Sequence, residues 1–475
     1  MNQLLWLRSD LRVADNTALA AAMDAGPTVA LYLVTPAQWL AHDDAACKVD
    51  FRLRNLSALS ARLAELNVPL LIRRVEDWQA VPGQIAELCQ QHRIGVVHIN
   101  EEYGVNEQRR DEATAYALRS TGASLRRHCD QLLFAPDSVK TLAGGCFKVF
   151  SQFRKVCYSR LSHSLPRCIP VPAPQPWIPV ARDPVPTTAA PFARPDDALR
   201  AHWPAGEDAA HQRLASFAEH CLADYQQRRD MPAEPGTSRL SAYLATGVLS
   251  PRQCLHAALA LNQGELDSGN PGAVTWINEL LWREFYKHIL VGYPEVSKGQ
   301  ALRRHTEALP WRHAPDELAA WQQGRTGFPL IDAAMRQLLA TGWMHNRLRM
   351  VVAMFLCKNL LIDWREGERW FMRQLIDGDL AANNGGWQWS ASTGTDSVPY
   401  FRLFNPYSQS ARFDPRGQFL RQWLPELAHL NDHDIHDPSA AAQGTGAPGY
   451  PQPIVDLAAS RERALSAFRN LGERL

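Results

Sequence analysis

The chain has no basic excess: 50 lysines and arginines against 49 acidic residues leave a formal charge of +1. A nucleic-acid partner would therefore have to be held by local clusters of cations and not by the field of the whole molecule. No apolar run approaches the about 18 residues that a membrane span requires. The start, MNQLLWLRSDLR, offers neither a long apolar stretch nor a cleavage-like site, so a soluble, unexported protein with no membrane partner is expected. The nine cysteines form no CxxC pair and no zinc-ligand spacing, which argues against a metal site and fits a reduced cytoplasm. The glycine fingerprint G-x-G-x-x-G is also missing after the first apolar run, where the turn reads Arg8-Ser9-Asp10-Leu11-Arg12. Close backbone approach to a pyrophosphate is excluded there, and a nucleotide cofactor is expected elsewhere.

What is present is 475 residues, 46% of them hydrophobic, enough for two or three buried cores. Residues 1–130 alternate β-branched runs (Leu4–Leu7, Val29–Val34, Leu70–Arg73, Val96–Asn100) with amphipathic stretches such as Phe51–Leu66. That alternation predicts a doubly wound α/β domain with a parallel sheet. Prolines recur from 166 to 204, so residues 131–205 read as a long interdomain linker. From 206 to 475, long periodic segments predict an all-helical domain, with Ala273–Leu290 and Trp343–Leu361 the clearest helices and Ile454–Leu471 the last.

Two of these helices carry one face too many. In Ala273–Leu290 an ordinary core stripe (Ile277, Leu280, Leu281, Phe285, Ile289) leaves Glu279, Trp282, Arg283 and Tyr286 on a second face. In Trp343–Leu361, Asn346, Arg349, Met350 and Ala353 do the same. Such faces are either solvated or the walls of a polar cavity for a flat, charged, aromatic ligand. The segment from Ile376 to Trp389 sets Asp377, Asp379, Asn383 and Asn384 around glycines, and Thr237-Ser238-Arg239-Leu240-Ser241 follows a Pro-Gly turn. The first reads as capping chemistry or as a set of donors and acceptors for a ligand; the second, taken alone, reads first as a capping sequence and only then as donors to phosphate oxygens. His429, His433 and His436, interleaved with aspartates, read as a solvated loop and not as a metal site.

The blocks GTSRLSAYLATG, WINELLWREFYKH, GWMHNRLRM, DWREGERWF and IDGDLAANNGGWQWSASTGTD resemble the class I cyclobutane pyrimidine dimer photolyases of the photolyase and cryptochrome family, in order and through essentially the whole chain. The resemblance implies an α/β antenna domain, a long linker and a helical flavin domain, and light-driven repair of cyclobutane dimers in DNA. It implies FAD, reduced and anionic when active, held by Tyr225, Thr237, Ser238, Arg239, Leu240 and Ser241, and by Arg283, Arg349, Asp377, Asp379 and Asn383. Asn383 matches the residue facing flavin N5, where an amide can donate or accept. Trp282 and Trp389 would pack against a flipped-out dimer, with Glu279, Asn346 and Met350 completing its pocket. Glu279, if protonated, would hydrogen-bond the dimer as it gains charge. Arg229, Arg347 and Arg402 match positions that touch DNA phosphates, and Trp387, Trp364 and Trp311 match the family's electron-hopping chain.

The resemblance also implies an antenna, methenyltetrahydrofolate, at His42, Asn106, Glu107 and Lys298; a deazaflavin or no antenna is the alternative, and Ser297 stands where close relatives can have Cys. DNA is the expected partner and a monomer without obligate protein partners the expected state. Two rivals rank below dimer repair. A cryptochrome-like photoreceptor would be expected to carry a long tail beyond the flavin domain, and a (6-4) photoproduct enzyme would carry a histidine pair where Asn346 and Met350 stand.

Overall fold

In the computed structural model, which describes residues 1–136, 138–440 and 449–472, the chain runs through β1 (Asn2–Leu7), α1 (Thr17–Ala25), β2 (Thr28–Val34), α2 (Pro36–Ala41), α3 (Ala46–Glu65), β3 (Leu70–Arg74), α4 (Val81–Gln91), β4 (Ile94–Asn100), α5 (Val105–Leu118) and β5 (Ser124–His128). Helices follow: α6 (Phe150–His163), α7 (Asp197–His202), α8 (Glu207–His220), α9 (Tyr225–Arg228), α10 (Ser241–Ala245), α11 (Pro251–Leu261) and α12 (Pro271–Gly292). The last are α13 (Pro315–Gln322), α14 (Pro329–Thr341), α15 (Asn346–Met354), α16 (Trp364–Gln374), α17 (Leu380–Ala391), α18 (Pro406–Phe413), α19 (Gln418–Trp423) and α20 (Leu457–Gly472). Two compact units result: Met1–Ala223 with Ser238–Pro294 and Ile376–Asp379, and Asp224–Thr237 with Glu295–Leu375 and Leu380–Leu475.

In the first unit the five strands are parallel, in the order β3-β2-β1-β4-β5. β2 is buried along its whole length, as a parallel strand covered on both faces must be. Leu4, Trp6, Val29, Leu31, Ile85, Leu88, Val97 and Ile99 build the core beside it. The four expected strands are all present. β5 is an addition at the sheet edge, where SLRRH is exposed or half-exposed and carries no apolar signal.

The strand order reverses between β1 and β4, the place where open α/β sheets bind ligands. Here the protein's own charges fill the turn after β1. Arg8 pairs with Asp111 at 2.9 Å, Asn100 donates to Asp10 at 2.7 Å, and Arg110 pairs with Glu102 at 2.9 Å. The Arg110 guanidinium also lies 4.9 Å from the Trp6 ring and 4.4 Å from that of Trp78.

Helices from further along the chain belong to the same unit through a buried ion network. Asp130 meets Arg12 at 2.5 Å and Arg252 at 2.8 Å, Arg252 also holds Asp15 at 2.9 Å, and Glu207 accepts from the amides of Val13 and Ala14 at 2.9 and 3.0 Å. Residues 131–205, expected as an extended connection, also hold α6 and α7. The dense run of prolines starts at 166, after α6 has closed, and α6 buries Phe150, Phe153, Cys157 and Leu161 along one stripe.

The second unit packs around Trp321, Phe328, Ile331, Leu348, Val352, Leu356, Phe371 and Trp387. Buried Asp332 accepts from the Thr326 amide at 2.7 Å and the Tyr450 hydroxyl at 2.6 Å, tying a distant segment to α14. The helix expected over 343–361 starts three residues later, because His345 accepts from the Arg347 amide at 3.2 Å and caps it. It closes through one wider π-type turn, Phe355–Asn359. The histidine stretch expected as a solvated loop has His433 exposed, but His436 is buried and 2.7 Å from Ser410 Oγ. None of the nine cysteines is joined in a disulfide. Among the described residues no helix is long and apolar enough to cross a membrane, and no cluster could hold a metal ion.

Candidate functional site

In the first unit α12 is the organising element. Asn270 caps it by accepting from the Ala273 amide, Pro271 opens its first turn, and the core stripe Ile277, Leu280, Leu281, Phe285 and Ile289 is buried. The second face stands as expected: Glu279, Trp282, Arg283 and Tyr286 are all half-exposed. Arg283 donates to the Gln131 carbonyl at 2.7 Å. Lys287, one turn further on and nearly buried, pairs with Asp379 at 2.5 Å. Asp377 is buried two residues before Asp379. Lys287 escaped the sequence reading because its partner lies 92 residues away and no local pattern links them.

The segment Thr237–Ser241 owes its path to Gly236, where a Cβ would stand 2.5 Å from the Arg228 carbonyl oxygen. Arg239 sits in left-handed backbone at φ 51, a conformation uncommon outside glycine and enriched at functional sites. Leu240 is buried, while Thr237, Ser238 and Ser241 remain half-exposed hydroxyls.

In the second unit Tyr225 is buried and Arg229 lies over its ring at 5.5 Å. Arg347 makes a two-point contact with Asp230, at 3.2 and 2.7 Å, and packs 4.6 Å from the Phe413 ring. On α15, Asn346 is exposed, Arg349 and Met350 are half-exposed and Ala353 is buried; Arg349 donates to the Met344 carbonyl at 2.8 Å. Asn383 donates through Nδ2 to the Glu368 carbonyl at 3.0 Å, and Asn384 donates to the Glu368 carboxylate at 2.9 Å. The first bond fixes the Asn383 amide so that Oδ1 is its remaining acceptor. Trp389 is half-exposed, and Arg402 is exposed with its carbonyl held by buried Lys358 at 2.9 Å.

The three expected relay tryptophans all lie in this unit. Trp387 and Trp364 are buried, whereas Trp311 packs against the core with part of its ring outside. Trp387 meets Phe371 edge-on at 5.0 Å and Trp321 at 6.0 Å. Gly367 makes the room, since a Cβ there would come within 2.0 Å of the indole. The Trp387 indole N–H is buried without a hydrogen-bond partner among the described residues.

Of the antenna candidates, three converge in the first unit. Gln38 Nε2 and Asn106 Nδ2 lie 2.9 and 3.1 Å from His42 Nε2, and Trp78 meets the imidazole edge-on at 4.8 Å. Burial pushes the Glu107 carboxyl above the usual carboxylate range. Lys298 is exposed in the second unit.

Residues 3–175 match the family described as DNA photolyase and residues 276–470 the FAD binding domain of DNA photolyase. The deoxyribodipyrimidine photo-lyase of Salmonella typhimurium is 48% identical, and that of Escherichia coli 46% identical, each over 98% of both chains. A class III photolyase structure from Agrobacterium tumefaciens superposes with a TM-score of 0.88 at 33% identity, over 99% of this chain and 98% of the other. The chain belongs to the DNA photolyase family.

Proposed function

We propose that this protein repairs cyclobutane pyrimidine dimers in DNA by light, with bound FAD as the working cofactor. The observation that carries the reading is the half-exposed face of α12, which sets the carboxyl of Glu279 one turn before the indole of Trp282. A carboxyl beside a flat ring matches a dimer, which presents carbonyl oxygens and an apolar edge. The second unit by itself presents an amide at Asn346, a thioether at Met350 and an indole at Trp389.

The donor set fits a flavin dinucleotide. Hydroxyls of Thr237, Ser238 and Ser241 with Arg239 suit the pyrophosphate, with Leu240 and Tyr225 as apolar support. Arg283, Arg349, Asp377, Asp379 and Asn383 suit the flavin and its ribityl chain. Lys287 pairs with Asp379 and holds it in place, and the bond from Asn383 Nδ2 to the Glu368 carbonyl leaves Oδ1 as the amide's acceptor, which suits a donor such as a reduced flavin N5–H. A bound, reduced flavin would supply the electron for opening both ring bonds of the dimer and would take it back afterwards. An antenna folate would be held by His42, Asn106, Glu107 and Lys298. Residues 1–130 then serve the antenna, 131–205 connect, and 206–475 carry flavin and DNA. The protein acts as a cytoplasmic monomer.

Arg229, Arg347 and Arg402 hold DNA phosphates. Asp230 orients the Arg347 guanidinium, so Arg347→Ala weakens damaged and undamaged DNA binding together. It lowers the slope of log affinity against log salt by about 0.9, one phosphate's worth. Titrating both DNAs across salt concentrations checks this; a loss confined to damaged DNA, with an unchanged slope, removes Arg347 from the phosphate track. The reading as a whole is tested by Trp389→Ala, which should weaken binding of dimer-containing duplex by roughly 1–3 kcal/mol with FAD content unchanged. Wild-type affinity in that variant contradicts the lesion contact.

A further inference from the structure

Trp282 does not stand alone on its helix. The ring of Phe150, the first residue of α6, lies against it with centroids 3.7 Å apart and planes 12° from parallel. Phe285 meets both rings edge-on, at 5.8 Å from Phe150 and 5.7 Å from Trp282, and Tyr286 lies 5.7 Å from the indole at a tilt of 32°. Phe150 is buried at 6% exposure, while Trp282 keeps part of its surface outside. Phe153, one turn along α6, packs on Phe285 at 5.3 Å and fixes the group from behind. One face of the indole is therefore covered by a parallel ring, and its plane is set by a second helix.

From this geometry we infer that Phe150 is a positioning residue for lesion recognition: it fixes the plane of Trp282 so that the indole meets the dimer without first being ordered. The inference rests on the reading of Trp282 as a lesion contact and adds a residue that touches no ligand itself. A half-exposed tryptophan on a helix surface otherwise loses side-chain freedom when a ligand arrives, and that loss is charged against affinity. A stacked partner removes the freedom beforehand. Aromatic pairs of this kind are worth a factor of roughly two to ten in an equilibrium constant beyond their buried area.

Phe150 could equally serve only as an apolar anchor for the start of α6, and the test separates the two roles. Dissociation constants are measured in the dark for duplexes with and without one cyclobutane thymine dimer, together with melting temperature. Phe150→Leu keeps an apolar side chain and loses the flat face; Phe150→Tyr keeps the flat face. Expected is roughly two- to tenfold weaker binding of the dimer duplex by Phe150→Leu, unchanged binding of undamaged duplex, and recovery in Phe150→Tyr. In the Trp282→Ala background Phe150→Leu should add no further loss, because it acts through the indole. If Trp282→Ala loses dimer affinity while Phe150→Leu keeps it, Phe150 is an anchor and the inference falls alone. A further loss in the double variant also overturns it. If Trp282→Ala itself binds the dimer as wild type does, the underlying lesion contact fails and the positioning role with it. Should Phe150→Leu unfold, loss of dimer discrimination in Phe150→Tyr would overturn the role.

Discussion

Replacing Trp311 with phenylalanine should slow photoreduction of oxidised FAD by an external thiol at least about tenfold, while leaving dimer repair by chemically reduced protein near the wild-type rate. Phenylalanine keeps much of the packing against Leu309, Phe468 and Leu471 but is far harder to oxidise. The exposure of the three tryptophans gives the direction. Trp387 and Trp364 are buried and Trp311 reaches the outside. A positive charge left on Trp387 finds no hydrogen-bond acceptor for the indole proton among the described residues, so nothing there holds it. At Trp311, water can solvate the charge and an external donor can reach it. Repair returns its electron and needs no outside supply. Illumination of oxidised protein with thiol, and of pre-reduced protein with dimer, gives the two rates to compare. Normal photoreduction in the variant places the route elsewhere; failed repair after pre-reduction makes Trp311 a structural or substrate residue.

The largest stability effect is expected at Asp130. Its carboxylate joins Arg12 and Arg252, all three nearly or wholly buried. Removing one member of such a group leaves a cation stranded in low dielectric, which costs about 3–5 kcal/mol. Asp130→Asn should lower stability by that amount in denaturant titrations, and a loss below about 1 kcal/mol would mean that water screens the site. Acid should act on the same unit. Burial raises the Asp130 pKa, but Arg12 and Arg252 outweigh it and hold the carboxyl well below the usual range. Burial likewise opposes Arg110 and Arg8 at Glu102, which ends at about 2 against an ordinary 4.5. Both carboxyls bind protons more weakly folded than unfolded. Their stabilisation is complete above about pH 4.5 and drains away as pH falls toward 2. Melting temperature should therefore drop steeply over that window, and less steeply in Asp130→Asn.

Much of this was legible in the residues, for identifiable reasons. β1 and β2 are buried apolar runs, and β3 and β4 keep apolar and β-branched residues beside their half-buried ones, so all four could be read directly, whereas β5 is an exposed edge written in serine and arginine. The mixed faces of α12 and α15 were visible because helical spacing separates a core stripe from its opposite side. α6 was hidden by the prolines that follow it, although Phe150, Phe153, Cys157 and Leu161 recur at helical intervals and could have revealed it. With α6 went the ring that stacks on Trp282. Partners made by tertiary folding left no local trace: Lys287 for Asp379, Asp230 for Arg347 and the Glu368 carbonyl for Asn383 lie 92, 117 and 15 residues from the groups they position.

The central claim is tested most directly by anaerobic, chemically reduced, FAD-loaded protein mixed with excess duplex carrying one cyclobutane thymine dimer, illuminated with near-ultraviolet or blue light beside a dark control. Expected are several dimers split per protein molecule in the light, none in the dark, and a flavin still reduced at the end. Reduced, FAD-loaded protein that binds the duplex yet returns every dimer intact after illumination would contradict it.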